Sequence, residues 1–212
     1  MRDGRNNKGA RLGRDAERID QFVRELIQVG GKVCRVESLE EARESLQEIA
    51  RGLTAKRFAR EDAPIFRELA VDESLGKIGT EALVVAQRPG SLEDQKDLVG
   101  ELAGVDLGLT EVNYALADTG TLALLSGPGR GRLLSLLPPV HVALLRSDQI
   151  LSGMEELFCL LERDPVFQER SCITFITGPS RTADIELTLT IGVHGPQELH
   201  VVLLDFTFSQ NS

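Results

Sequence analysis

The chain predicts an α/β fold: a three-layer α/β/α arrangement built on a mostly parallel sheet. Three observations carry that prediction. Apolar, β-rich runs at 82–86, 122–126, 140–145, 173–177 and 199–204 are each bounded by Gly, Pro or polar turn residues, as strands covered on both faces require. Helical patterns lie between several of these runs, and strand–helix alternation calls for parallel strands with helices on both sides. The apolar fraction of 42% over 212 residues supplies a core for one large domain, or one domain with a small appendage.

The elements follow in order. Residues 1–13 are rich in Gly, Asn and Arg without periodicity, and read as a mobile, locally basic tail. Over 15–29, Ile19, Phe22, Val23, Leu26 and Ile27 share one helical face, and Gly30-Gly31 stops the helix. Residues 32–36 suit a short strand. Ser38 with Glu41 three positions later is a capping-box pattern, opening a helix with Leu39, Ala42, Leu46 and Ile49 on its apolar face. Pro64 suits the first position of a short helix over 64–69, while the rest of 51–80 is ambiguous. Residues 91–102 fit either a helix or a connection. Strands are expected at 105–110 and 122–126, one or two helical turns at 133–137, and a break at Pro138-Pro139. Over 152–162, Met154, Leu157, Phe158 and Leu161 share a helical face. The resulting division is a tail (1–13), an N-terminal helical region packed on the main domain (14–78), and the main α/β domain (79–212).

Composition excludes several classes of function. The net charge of −9 argues against a nucleic-acid surface. No apolar run reaches membrane-spanning length, and the charged N-terminus lacks the apolar region of a secretory signal. Cys34, Cys159 and Cys172 are far apart, so they are expected as reduced core thiols of a cytoplasmic protein. Their spacing recommends neither a metal site nor an iron–sulfur cluster in this chain.

The residues with chemistry concentrate in 171–205, between two apolar runs. In Thr177-Gly178-Pro179-Ser180-Arg181-Thr182, the hydroxyls of Ser180 and Thr182 and the Arg181 guanidinium could hold a carboxylate or phosphate at a helix N-terminus. A turn with Ser180 or Thr182 as helix cap fits equally. Gly127-Pro128-Gly129-Arg130-Gly131-Arg132 lies between a strand and a helical stretch, where backbone N–H groups and two guanidiniums suit an anion; a solvated surface loop is the plainer reading. Asp118-Thr119-Gly120-Thr121 either aims a carboxylate at a pocket or closes an Asx-type turn. Asp184, Glu186 and His194 are the acid–base candidates, His194 first because it lies in a Gly/Pro-flanked turn. His141 and His200 lie within apolar runs and read as hydrogen-bonded core histidines. The Gly-Pro-Ser turn and the Gly-rich loop each follow a strand, so both are expected on the carboxyl rim of the sheet, with the His194 loop on the opposite rim. Arg181 and His194 then share a site only if the chain between them doubles back in extended form.

In order along the chain, DTGT, LLPPVH, TGPSRTADIE and GVHGPQELHVVLLD resemble the C-terminal half of the lactate-utilisation (LUD-domain) family, over roughly 79–205, its protein C branch most of all. The resemblance implies a fold like that of ribose-5-phosphate isomerase and the CoA transferases. It implies a part in oxidising L-lactate to pyruvate beside iron–sulfur partner proteins, with a small anionic metabolite as ligand. The ligand residues it favours are Thr119, Gly120, Thr121, Gly129, Arg130, Gly178, Ser180, Arg181 and Thr182; no cofactor is identified. A stand-alone enzyme acting on a phosphorylated or CoA-linked small acid is the alternative, and a purely structural subunit a third.

Overall fold

The computed structural model describes residues 5–85, 92–127, 131–163, 172–183, 189–191 and 195–206. Six strands, β1 (Lys32–Val36), β2 (Arg57–Glu61), β3 (Glu81–Val85), β4 (Leu107–Glu111), β7 (Val140–Arg146) and β12 (Glu198–Leu204), form the central sheet in the order β1-β12-β7-β4-β2-β3. Every pairing in it is parallel. A smaller sheet, ordered β8-β5-β6-β9, joins β5 (Tyr114–Leu116), β6 (Thr121–Ser126), β8 (Ile150–Leu151) and β9 (Cys172–Ile176). Strands β10 (Arg181–Ala183) and β11 (Leu189–Ile191) pair antiparallel on their own.

Side-chain alternation divides the core between the two faces of the central sheet. Phe58, Leu109, Val142, Leu144 and Val202 pack with residues of α2 (Leu39–Gly52), α3 (Pro64–Glu68) and α4 (Val71–Gly76). Ala143, Leu145, Val201 and Leu203 face the other way, toward α1 (Arg5–Gln28) and the smaller sheet. Helix α5 (Leu92–Ala103) and the 3-10 turn Arg132–Ser135 extend that second layer over Ala59. Helix α6 (Met154–Leu161) covers the outer side of the smaller sheet through Leu157 and Leu161. The predicted α/β class with helices flanking a mostly parallel sheet is therefore what folds.

Local signals explain several elements. Ser38 caps α2 by accepting from the Glu41 backbone N–H at 3.2 Å. The Glu41 carboxylate reaches back to the Glu37 N–H at 2.8 Å, one residue before the cap. Pro64 opens α3, where its missing N–H costs nothing. Phe22 and Leu26 of α1 are fully buried, each contributing about 2–3 kcal/mol through removal from water.

Other expectations need correction or relocation. Helix α1 begins at Arg5, inside the stretch read from composition as a tail; its Asn, Lys, Arg and Ala residues tolerate helix without an apolar face. Residues 14–78 supply β1 and β2 to the same sheet as β7 and β12, and are not only helical. The run at 173–177 is not a strand of the central sheet. Its β9 is antiparallel to β6 and half-buried, because it is the edge strand of the smaller sheet, where Phe175 is 40% exposed. Cys34 and Cys159 are exposed and Cys172 is half-buried, so none is a core thiol. Cys34 lies on the edge strand β1 and Cys172 at the start of the edge strand β9, where neighbouring elements leave them uncovered.

Candidate functional site

Two groups of polar residues lie at opposite rims of the central sheet, and β6 runs between them. At the amino rim the DTGT and TGPSR motifs meet. Leu122 of β6 pairs with Ile176 of β9, which brings the hydroxyls of Thr121 and Thr177 to 2.8 Å. Thr121 donates to Thr119 at 2.8 Å, and Thr119 donates to the Asp118 carboxylate at 3.2 Å. The Asp118 carboxylate accepts only, so the chain runs Thr177 to Thr121 to Thr119 to Asp118. Each hydroxyl spends its one proton inward. Gly120 has φ +62°, and a Cβ there would strike the Leu26 backbone, so this turn is pressed against α1. Gly178 has φ +90° and lies against the Val29 carbonyl.

Arg181 does not stand at a helix N-terminus, as the sequence predicts. Residues 181–183 are extended and paired to 189–191, where β-branched Thr190 and Ile191 favour strand. The guanidinium instead donates to the Val29 carbonyl at 2.8 Å, at the C-terminal end of α1, where a cation offsets the negative end of the helix dipole. The Gly-Pro-Ser turn also lies on the rim opposite to the one expected. Ser180 N–H donates to Pro196 O at 2.8 Å, just before β12 begins. The reason is that β9 runs antiparallel to β6 in the smaller, mixed sheet, so the end of that strand reaches the amino rim. The segment from Arg181 does double back, since Arg181 lies opposite Ile191. His194, Asp184, Glu186, Gly129 and Arg130 lie outside the described residues, and Thr182 is placed by its backbone alone in β10.

At the carboxyl rim, beside the Gly-rich loop, is a pocket that sequence reading missed. It is a shallow, solvent-open depression lined by Glu61, Thr110, Glu111, Asn113, Arg132 and Ser135. Parallel sheets place ligands here, outside the carboxyl ends of their strands. Glu61 ends β2 and Glu111 ends β4, and both are buried. Glu61 Oε1 accepts from the Glu111 backbone N–H at 2.6 Å. Arg146, at the end of β7, donates to Glu111 Oε1 at 3.2 Å. Arg60 donates to the Glu61 carbonyl at 3.0 Å and binds Asp72 through two nitrogens at 2.7 and 2.6 Å. That pairing with Asp72 raises the Arg60 pKa and secures its charge.

Beneath the pocket Thr110 Oγ1 lies 2.8 Å from His141 Nε2. Burial alone lowers the His141 pKa to about 3, so the ring is neutral at physiological pH. Its Nδ1 has no hydrogen-bond partner among the described residues. His141 is thus the hydrogen-bonded core histidine the sequence suggests. The pocket presents Arg132 for an anion beside the carboxylates of Glu61 and Glu111; Ser135 spends its hydroxyl proton on the Arg132 carbonyl at 2.9 Å, and Thr110 shares its hydroxyl with His141. The missed signal was the carboxylate closing two strands, in RFARE and LGLTE. An acidic residue that ends a buried strand is held at the rim by the sheet itself. Among the described residues no group of acidic, His and Cys side chains could hold a metal ion, and no helix is long and apolar enough to cross a membrane.

The family model described as LUD domain matches residues 19–204. A protein named lactate utilization protein C from Halalkalibacterium halodurans is 44% identical over 101 residues, 47% of this chain and 44% of that protein. Its namesake from Shouchella clausii is 32% identical over 158 residues, 65% of this chain and 69% of that protein. The chain thus spans less than half of the first relative and just over two thirds of the second. A crystal structure of a DUF162-family protein from Deinococcus radiodurans matches with a TM-score of 0.64 at 23% identity, covering 90% of this chain and 98% of that one. This last likeness concerns the fold.

Proposed function

We propose, from the premise that this chain belongs to the LUD domain family, that it is a component of an L-lactate utilisation system and binds a small carboxylate at its carboxyl-rim pocket. The names of its relatives support the pathway. The observation that carries the ligand class is that the exposed Arg132 and the buried Glu61 line the same small pocket. A 2-hydroxy acid has a carboxylate for the first and a hydroxyl proton for the second. Gly131 and Arg132, at the end of the Gly-rich loop, make the anion side of the site in this reading. The Thr119–Thr121 and Gly178–Arg181 groups hold the turn against α1 at the opposite rim, away from this pocket. Iron–sulfur partner proteins carry the electrons, and the system works in the cytoplasm.

Buried carboxylates within reach of a bound acid favour a second reading, in which the chain alone acts on a phosphorylated or CoA-linked small acid. Thermal unfolding against L-lactate, pyruvate, phosphate, sugar phosphates and CoA esters separates the two. A ligand at about 100 times its dissociation constant stabilises by roughly 2.7 kcal/mol. The expected result is a shift with a small hydroxy or keto acid that is lost in Arg132→Ala and weakened in Glu61→Gln. A shift that survives both substitutions removes the pocket from the proposal. Turnover of a CoA ester or sugar phosphate by the purified chain establishes the second reading instead.

A further inference from the structure

A second cluster of reactive side chains lies where β1 pairs with β12, apart from the carboxyl-rim pocket. Val33, Leu199 and Val201 pack into the core beneath α1. Alternation therefore turns Lys32, Cys34, Glu198 and His200 to the other face, beneath α2. The parallel register sets Lys32 beside His200 and Cys34 beside Val202. Cys34 and His200 are then diagonal neighbours, about 8 Å apart at their Cα atoms from strand spacing and rise. Both line one cleft of about 460 Å³, open to solvent, that α2 borders with Ser45, Glu48 and Ile49.

The hydrogen bonds in this cluster decide which nitrogen of His200 is basic. Its Nε2 lies 2.7 Å from Glu198 Oε2, and Lys32 Nζ lies 2.7 Å from the same oxygen. The Lys32 contact, and His200 after it, hold Glu198 below the usual carboxylate range. Burial lowers the His200 pKa more than Glu198 raises it. At neutral pH an uncharged imidazole thus faces an ionised carboxylate, and the nitrogen beside that carboxylate carries the proton. The lone pair remains on Nδ1. The exposed Cys34 thiol shares its cleft with an oriented base.

We propose that Cys34 is a thiol–disulfide exchange site, with His200 as proton acceptor and Glu198 as the positioning residue that fixes its tautomer. His200 Nδ1 takes the Cys34 proton, directly or through one water. The thiolate attacks one sulfur of a low-molecular-weight disulfide, whose S–S bond breaks as the new one forms. The departing thiolate takes the proton from the imidazolium and leaves as a free thiol, and Cys34 remains as a mixed disulfide. The disulfide is the oxidant, so no further electron acceptor is needed. A disulfide suits this cleft because its leaving group is a base that the newly formed imidazolium can protonate.

The test uses the full chain and glutathione disulfide, with mass spectrometry following each cysteine. Cys159 is an internal reference, being exposed like Cys34 but placed on α6. Cys34 is expected to form the mixed disulfide about tenfold faster than Cys159 or more. General-base catalysis is typically worth at least about a hundredfold, so His200→Gln should slow Cys34 by roughly a hundredfold or more and leave Cys159 unchanged. Glu198→Gln should give an intermediate rate. Equal rates at Cys34 and Cys159 in the wild type overturn the proposal, and so does a folded His200→Gln variant with an undiminished Cys34 rate. Should that variant fail to fold, the wild-type ratio of the two rates decides alone.

Discussion

Gly120 shows how one residue couples the smaller sheet to α1. Its φ of +62° and its approach to the Leu26 backbone both require the absence of a side chain. Gly120→Ala is expected to cost at least about 2 kcal/mol, visible as a lower midpoint in chemical denaturation at unchanged slope. Arg181→Ala removes a hydrogen bond to the C-terminal end of α1, and a loss of about 1 kcal/mol is expected, with partial recovery in Arg181→Lys. His141 gives a pH dependence of definite sign. Its folded pKa of about 3 lies below the ordinary value of 6.5, so the unfolded chain binds the proton more readily. Above pH 6.5 the residue is neutral in both states and makes no difference. As pH falls from 6.5 toward 3 it removes stability, by at most about 1.4 kcal/mol per unit. Glu156 and Glu198, whose pKa values are lowered, add losses in the same direction below the ordinary carboxylate pKa of 4.5. Denaturation curves collected from pH 7 to 4 should decline, and His141→Gln should flatten the part above pH 4.5.

Among the elements, α2 was legible because its signals are local. Ser38 and Glu41 cap it, and Ala42 and Leu46 are buried as their spacing requires. Ser38→Ala is expected to cost about 1 kcal/mol, measured by thermal or denaturant unfolding. On α1 the fully buried Phe22 supports a larger effect: Phe22→Ala should cost about 3–5 kcal/mol and expose Ala143 and Leu203 beneath it. The strand runs at 140–145 and 199–204 were equally legible, being apolar on both faces. Which sheet a strand joins was not. The run at 173–177 is as apolar as the others, but pairing depends on partners distant in sequence. Strand β10 was misread because Gly-Pro-Ser-Arg-Thr opens helices and hairpins alike, and only its pairing with Thr190 and Ile191 decides between them. Strand β2 was missed because Arg60 and Glu61 interrupt its apolar pattern. Those are the residues that the rim buries and binds.

At the scale of the whole molecule, the two faces of the central sheet and its two rims divide the work. The faces make the core, the amino rim ties turns to α1, and the carboxyl rim holds the pocket. Gly131 and Arg132 were legible as rim residues because the segment that holds them follows an apolar strand. Glu61 and Glu111 were not, because they come together only when β2 and β4 pair. The pairing of β1 with β12 has a further, kinetic consequence. Lys32 and Glu198, joined by a hydrogen bond, are 166 positions apart. During synthesis, at about 5–20 residues per second, β1 waits for its partner while the 166 residues between them are made, roughly 8–30 seconds. Closure of so long a loop is slow to be rewarded. Throughout that interval the newly made protein carries an unpaired strand with Cys34 on it.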